Sequence, residues 1–164
     1  MKKIPVLQTA RLIMRGITEE DTRAIITLRS DPNVYRFFIS PHQISEEEHL
    51  SWFKKNYIFN EDRLDWIAFD MGGRLVGVFG AKRDNKDSKE AEVSYILGSK
   101  QYGKGYASEA VNRLIQFCRE EWKCVYVTAE VHQENSDSIR FVKKLGFVAE
   151  KDVNGVFIIY RKLI

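Results

Sequence analysis

The chain has few of the features that would mark a secreted, membrane-spanning or metal-binding protein. Only two of its 164 residues are cysteine, Cys118 and Cys124. Their spacing matches no metal pattern and both fall in apolar runs, so buried free thiols in a reducing cytoplasm are expected, and no metal. The start, Met-Lys-Lys-Ile-Pro-Val-Leu-Gln, is basic without a long apolar stretch. No signal peptide is expected there, and no segment is long enough to span a membrane. Neither sign of charge dominates: 26 Lys and Arg against 23 Asp and Glu leave a net +3. That mildly favours an anionic cofactor. The lysines are dispersed and the aromatics sit in core-like patterns, which argues against a nucleic-acid binder. His42, His49 and His132 are scattered and complete no Ser-His-Asp arrangement. No repeat, linker or low-complexity run is present.

The composition, 44% apolar and 30% charged, fits one soluble globular domain over residues 1–164. Leu7–Arg15 reads as a first strand. Thr18 caps a helix over Glu19–Arg29, ended by Asp31-Pro32. An aromatic cluster follows at Val34–Ile39. Ser45-Glu46-Glu47-Glu48 is a capping box for a helix through Tyr57. Strands are expected at Trp66–Asp70 and Leu75–Ala81, joined by the turn Met71–Arg74. Arg83–Lys89 is a polar loop, and a strand follows at Glu92–Leu97. A helix over Gly105–Glu120, a strand over Lys123–Val131 and a helix over Asn135–Leu145 come next. The last pair, Phe147–Val153 and Val156–Leu163, meets at Asn154-Gly155, a strong hairpin signal. The order β-αα-βββ-α-β-α-ββ predicts an α/β fold, a central mixed sheet with helices on both faces, in which Glu92–Leu97 and Lys123–Val131 run parallel.

The centre of the chain is Glu92–Ala110, EVSYILGSKQYGKGYASEA. An alternating strand enters Gly98, a loop carries Gly103-Lys104-Gly105, and a one-faced helix begins at once. Helix-start amides without partners sit at the positive end of the helix dipole, which makes an anion site. The plain alternative is a tight turn that binds nothing. A P-loop would need Gly-x-x-x-x-Gly-Lys-Ser/Thr, which is missing. A dinucleotide fingerprint fails because Ser108 occupies its third glycine position.

The stretch instead resembles the acetyl-CoA motif of the GCN5-related N-acetyltransferases, Gln/Arg-x-x-Gly-x-Gly/Ala. Gly105 and Ala107 match its small positions, and Tyr102 stands where Gln or Arg is usual. Gly-Lys-Gly-Tyr-Ala-Ser-Glu-Ala is most similar to the Rim-type branch, which acetylates ribosomal-protein N-termini. Downstream, Asn135-Ser136-Asp137-Ser138 with Lys144-Leu145-Gly146-Phe147 resembles the family's second motif, so two motifs stand in the right order. The element order resembles the same fold over nearly the whole chain. The resemblance implies parallel strands that splay, with the pantetheine arm of acetyl-CoA paired to the strand before the loop.

Backbone amides around Ile96 and Leu97 are then expected to hold the arm and polarise the thioester carbonyl. Those of Gly103, Lys104, Gly105, Tyr106, Ala107 and Ser108 are expected to take the pyrophosphate. Lys104 and Lys143 could add charge, or be ordinary solvated lysines. Asn135 reads as a helix cap that also faces the cofactor. Many members of the superfamily place an acidic tyrosine on the last helix; that position is Val142 here. Ser138 stands one turn earlier, where the Rim-type branch has a serine, and a hydroxyl there can donate to a leaving thiolate. Glu92, on a strand face with Ser94 and Ile96, is the candidate base, with Glu130 as competitor. Tyr35, Phe37, Phe38 and Trp52 read most simply as core, although the resemblance puts the acceptor site between the first two helices, where they lie.

The expected function is acetyl-CoA-dependent N-acetyl transfer to a primary amine, foremost a protein or peptide α-amine, by a cytoplasmic monomer or homodimer. Two alternatives stand beside it: transfer to a small amine (polyamine, amino-sugar or antibiotic), or a non-catalytic acyl-CoA-binding module.

Overall fold

A computed structural model describes residues 2–164. Eight strands form one sheet: β1 (Leu7–Gln8), β2 (Leu12–Gly16), β3 (Arg63–Asp70), β4 (Leu75–Lys82), β5 (Glu90–Leu97), β6 (Tyr126–His132), β7 (Val148–Val153) and β8 (Phe157–Leu163). Their order is β1-β2-β3-β4-β5-β6-β8-β7. Every neighbouring pair is antiparallel except β5 and β6, which are parallel and joined through a helix. The mixed α/β architecture read from the sequence is the one observed.

Helices cover both faces. On one side α4 (Tyr106–Glu120) and α5 (Ser136–Lys144) pack on Met14, Trp66, Phe79, Val93 and Val127. The apolar stripe of α4 puts Ala110, Val111, Leu114, Ile115, Phe117 and Cys118 into that core. Leu114 is fully buried, so Leu114→Ala costs about 2–5 kcal/mol. On the other side α1 (Thr22–Arg29) and α3 (Glu46–Trp52) cover Ile17, Ile67 and Val78. Cys118 and Cys124 are buried free thiols, and burial pushes the Cys118 thiol up to about 12.

Several boundaries differ from the sequence reading for local reasons. The first strand breaks into β1 and β2, because the Thr9 N–H and the Leu12 carbonyl close a turn at 3.0 Å. The first helix opens as a 3-10 turn, Glu19–Asp21, whose Asp21 carboxylate accepts from the Thr18 N–H at 2.8 Å. Pro32 starts a further turn rather than only ending a helix: α2 (Pro32–Tyr35) is capped by Asp31, which accepts from the Asn33 N–H. The Ser45–Glu48 box caps α3 as read, but after Trp52 the helix widens into a π-helical turn over Phe53–Ile58. β3 begins three residues early because Arg63 and Asp65 neutralise each other, at 2.8 Å and 3.1 Å, so polar residues can occupy a strand. Asn154 and Gly155 both adopt positive φ, as a type I′ hairpin turn requires.

Candidate active site

β5 and β6 are paired at only three positions, Glu90–Tyr126, Ala91–Val127 and Glu92–Thr128. Beyond Glu92, β5 stays paired to β4 as far as Leu97, while β6 continues with β8. The two parallel strands therefore separate from Val93 onward. Residues 93–97 have no strand partner on the β6 side. Gly77 shapes the far end: a Cβ there would stand 2.2 Å from the Ile96 carbonyl oxygen. That oxygen is turned toward β4. In a trans peptide the next N–H, of Leu97, lies on the opposite side.

The gap leads to the loop between β5 and α4. None of the backbone N–H groups from Gly103 to Ser108 donates to an acceptor among the described residues; the first that does is Glu109, to the Gly105 carbonyl at 3.1 Å. Gly103 and Gly105 hold left-handed φ values of 77° and 80°, which aim successive amides into one concavity. Nothing lies within 4 Å of where a Gly103 side chain would start. Such a nest at the start of a fifteen-residue helix suits a pyrophosphate.

Arg11 braces this loop. Its Nη1 donates to the Lys104 carbonyl at 2.9 Å, its Nε to Glu109 at 3.2 Å, and its guanidinium lies 4.6 Å over the Tyr106 ring. Thr9 adds a bond to Glu109 at 2.9 Å. Ser99 donates to Asp31 at 2.6 Å, tying α2 to the same loop.

Across the gap, on the α4–α5 side of the sheet, the Tyr95 and Ser138 hydroxyls are hydrogen-bonded to each other. The Tyr95 ring lies edge-on to Phe141 at 4.9 Å, and burial pushes the phenol up to about 12. Asn135 caps α5 by accepting from the Ser138 N–H at 3.2 Å.

The opposite sheet face carries Glu92, Ser94 and Ile96, because alternate strand residues face alternate sides. Glu92 opens on a cavity of about 500 Å³ lined by Lys82, Asp84, Thr128 and Lys151, among others. The concave wall limits water round its carboxylate, and Glu130 adds a like charge; both raise its pKa. Glu90 and Glu150 share Arg161, and Arg83 pairs with Asp62 at 2.9 Å.

The model of one family, the acetyltransferase (GNAT) domain, matches residues 11–148. The chain belongs to the GNAT acetyltransferase family. It is an N-acetyltransferase that uses acetyl-CoA as co-substrate. It is 28% identical over 149 residues to the uncharacterized N-acetyltransferase YoaA of Bacillus subtilis, covering 89% of this chain and 84% of that protein. To the spermidine N(1)-acetyltransferase of Vibrio cholerae it is 23% identical over 141 residues, covering 86% and 81%. It shares its fold with RimL, a ribosomal L7/L12 alpha-N-protein acetyltransferase solved with coenzyme A: TM-score 0.82, 17% identity, 98% of each chain covered.

In this acetyltransferase the loop residues Gly103 to Ser108 sit together at the start of α4, and Ile96 and Leu97 line the gap above them. Lys104 reaches Gln101 at 3.1 Å, while Lys143 is exposed on α5. Ser138 and Asn135 are joined; Glu92 lies on the other sheet face from both. Val142 is 1% exposed in the core and offers no hydroxyl. The aromatics lie at the margin of the core, and Trp52 packs against the cluster under α1 and α3. Tyr35, Phe37, Phe38 and Trp52 are half-buried, with Arg36 over Phe37, Arg29 over Phe38 and Arg63 over Trp52. Phe37 also meets His132 at 5.3 Å, at the open end of β6. Sequence reasoning missed Arg11 and Tyr95. The empty hydroxyl position at Val142 was the available signal for Tyr95, since it asks for a donor from elsewhere.

Proposed function

We propose that the acetyl group passes directly from acetyl-CoA to an amine held in a ternary complex, with Glu92 as base and Ser138 as the partner of the leaving sulfur. One observation carries this reading: where β5 and β6 part, the Glu92 carboxylate stands on one sheet face and the Tyr95–Ser138 hydroxyl pair on the other. An amine approaching from the Glu92 side attacks the carbonyl carbon and gives its proton to the carboxylate, directly or through water. The C–S bond breaks, and the thiolate leaves toward the Ser138 hydroxyl. The Leu97 amide supports the carbonyl oxygen as charge builds on it. The amides of Gly103 to Ser108 hold the pyrophosphate, with Lys104, Lys143 and Asn135 at its margins.

The acceptor in this reading is a peptide or protein α-amine, as in the Rim-type branch. The amine must be neutral to attack. Neutralising a lysine of pKa about 10.4 at pH 7 costs roughly 4.6 kcal/mol, an α-amine near 7.7–8.0 only about 1–1.4 kcal/mol. The cavity beside Glu92 also carries only a slight acidic excess. Lys82 and Lys151 balance Asp84 and Glu92, Arg83 pairs with Asp62, and the one Arg161 is shared by Glu90 and Glu150. Tyr35, Phe37, Phe38 and Trp52 form the rim along which the rest of the acceptor lies. A polyamine acceptor is the second reading. It is favoured by Glu92 and Glu130, two unbridged carboxylates flanking the gap, and by the similarity to the Vibrio cholerae spermidine enzyme.

The test is kcat/KM for a short peptide with a free N-terminus, the same peptide blocked there but carrying lysine, and spermidine. Preference for the free N-terminus supports the first reading; preference for spermidine replaces it with the second. CoA binding without turnover of any amine would leave a non-catalytic module.

A further inference from the structure

We infer that Tyr95 is a positioning residue for the leaving group: its phenol donates to Ser138 Oγ and leaves the serine proton free to point at the departing sulfur. This rests on the role proposed for Ser138.

Tyr95 lies three residues past the last β5–β6 ladder pair, where only side chains span the gap. Its hydroxyl meets the Ser138 hydroxyl there. Neither group is free to drift. Phe141 holds the tyrosine ring edge-on, and Asn135 fixes the serine backbone. Each hydroxyl owns one proton, so the bond between them uses one and leaves one. A phenol is the stronger donor and an aliphatic oxygen the stronger acceptor, so the bond runs from Tyr95 to Ser138. The spare proton is then on Ser138. Burial holds Tyr95 in its neutral, donating form across the working pH range. No proton leaves the phenol during the reaction. Its bond polarises the serine, and hydrogen bonds in series strengthen one another as thiolate charge develops. The strand thus supplies the phenol that α5 lacks, where Val142 is buried and apolar.

A purely structural brace would make the same bond, so the test must separate the two. Tyr95→Phe keeps the ring and its packing. The expected result is a loss in kcat of about tenfold with KM for acetyl-CoA and Tm unchanged, since the interaction tightens only in the transition state. In a Ser138→Ala background the same substitution should have almost no further effect, because the phenol acts through the serine. Replacing Tyr95 with 3-fluorotyrosine keeps the donor and should hold kcat within about twofold of wild type. This second variant also covers the case in which Tyr95→Phe misfolds. Full kcat in Tyr95→Phe, alongside a loss in Ser138→Ala, overturns the inference and spares the serine. Full kcat in Ser138→Ala overturns both. A Tyr95→Phe loss that persists undiminished without the serine would make Tyr95 a separate contributor and contradict the relay.

Discussion

Arg11 Nη1 donates to the Lys104 carbonyl oxygen at 2.9 Å. With that carbonyl engaged, the loop from Gly103 to Ser108 leaves its amides without an acceptor among the described residues. The loop is thus shaped before any ligand arrives, and the pyrophosphate proposed to bind there is spared part of the ordering cost of binding.

Gly105 is the position where that shape is most easily broken. Its φ is 80°, and a Cβ would stand 3.3 Å from Arg11 Nη2. A β-branched residue in this region is strained by about 1–3 kcal/mol. Gly105→Val should weaken CoA binding strongly in calorimetry while circular dichroism remains that of the folded protein. Unchanged affinity would move the phosphate site elsewhere.

Glu92 should set the acidic limb of activity. A base works only when ionised, so kcat/KM should fall as pH drops through a pKa above the ordinary carboxylate range. The cavity wall and Glu130 both act in that direction. Glu92→Gln should remove the limb and lower the plateau by about 10²–10⁴. Glu130→Gln removes the like charge and should move the limb to lower pH. A limb that survives in Glu92→Gln belongs to another group.

His49 should make the fold acid-sensitive. It lies on α3 and is fully buried, and neither ring nitrogen has a hydrogen-bond partner among the described residues. Burial first, then the charge of Arg29, lowers its pKa. The unfolded histidine, near 6.5, therefore protonates before the folded one. Stability should be full above that value and fall as pH drops toward the folded pKa. Asp21 and Asp31 also have lowered pKa values, but their contribution is lost only below about pH 4. His49→Leu should flatten stability between about pH 6.5 and pH 5, and remove an unpaired polar group that costs roughly 1–3 kcal/mol. Urea melts across this range give the comparison; an unchanged slope would assign the titration to another residue.

The fold was legible where a local rule acts alone. Asn154-Gly155 demands a type I′ turn, Ser45 with Glu48 demands a helix start, and the spacing from Ala107 to Cys118 demands a one-sided helix. It was misread where polar residues enter a strand. Arg63 and Asp65 look like loop residues until the ion pair between them is seen. The shape of the Gly103–Gly105 loop was equally legible, because glycine spacing encodes backbone conformation. Tyr95 and Arg11 were not. Tyr95 acts across 43 positions of sequence, and Arg11 across 93. Alternation shows which face a strand residue takes and not which hydroxyl it will meet.

Direct transfer through the gap between β5 and β6 is best tested by initial rates of CoA thiol release over a matrix of acetyl-CoA and amine concentrations. Both substrates must be bound before any bond changes. Double-reciprocal lines should therefore intersect, and no acetylated enzyme should accumulate when the amine is withheld. Parallel lines, with an acetyl group found on the protein by mass spectrometry, would contradict direct attack and require a nucleophile on the enzyme.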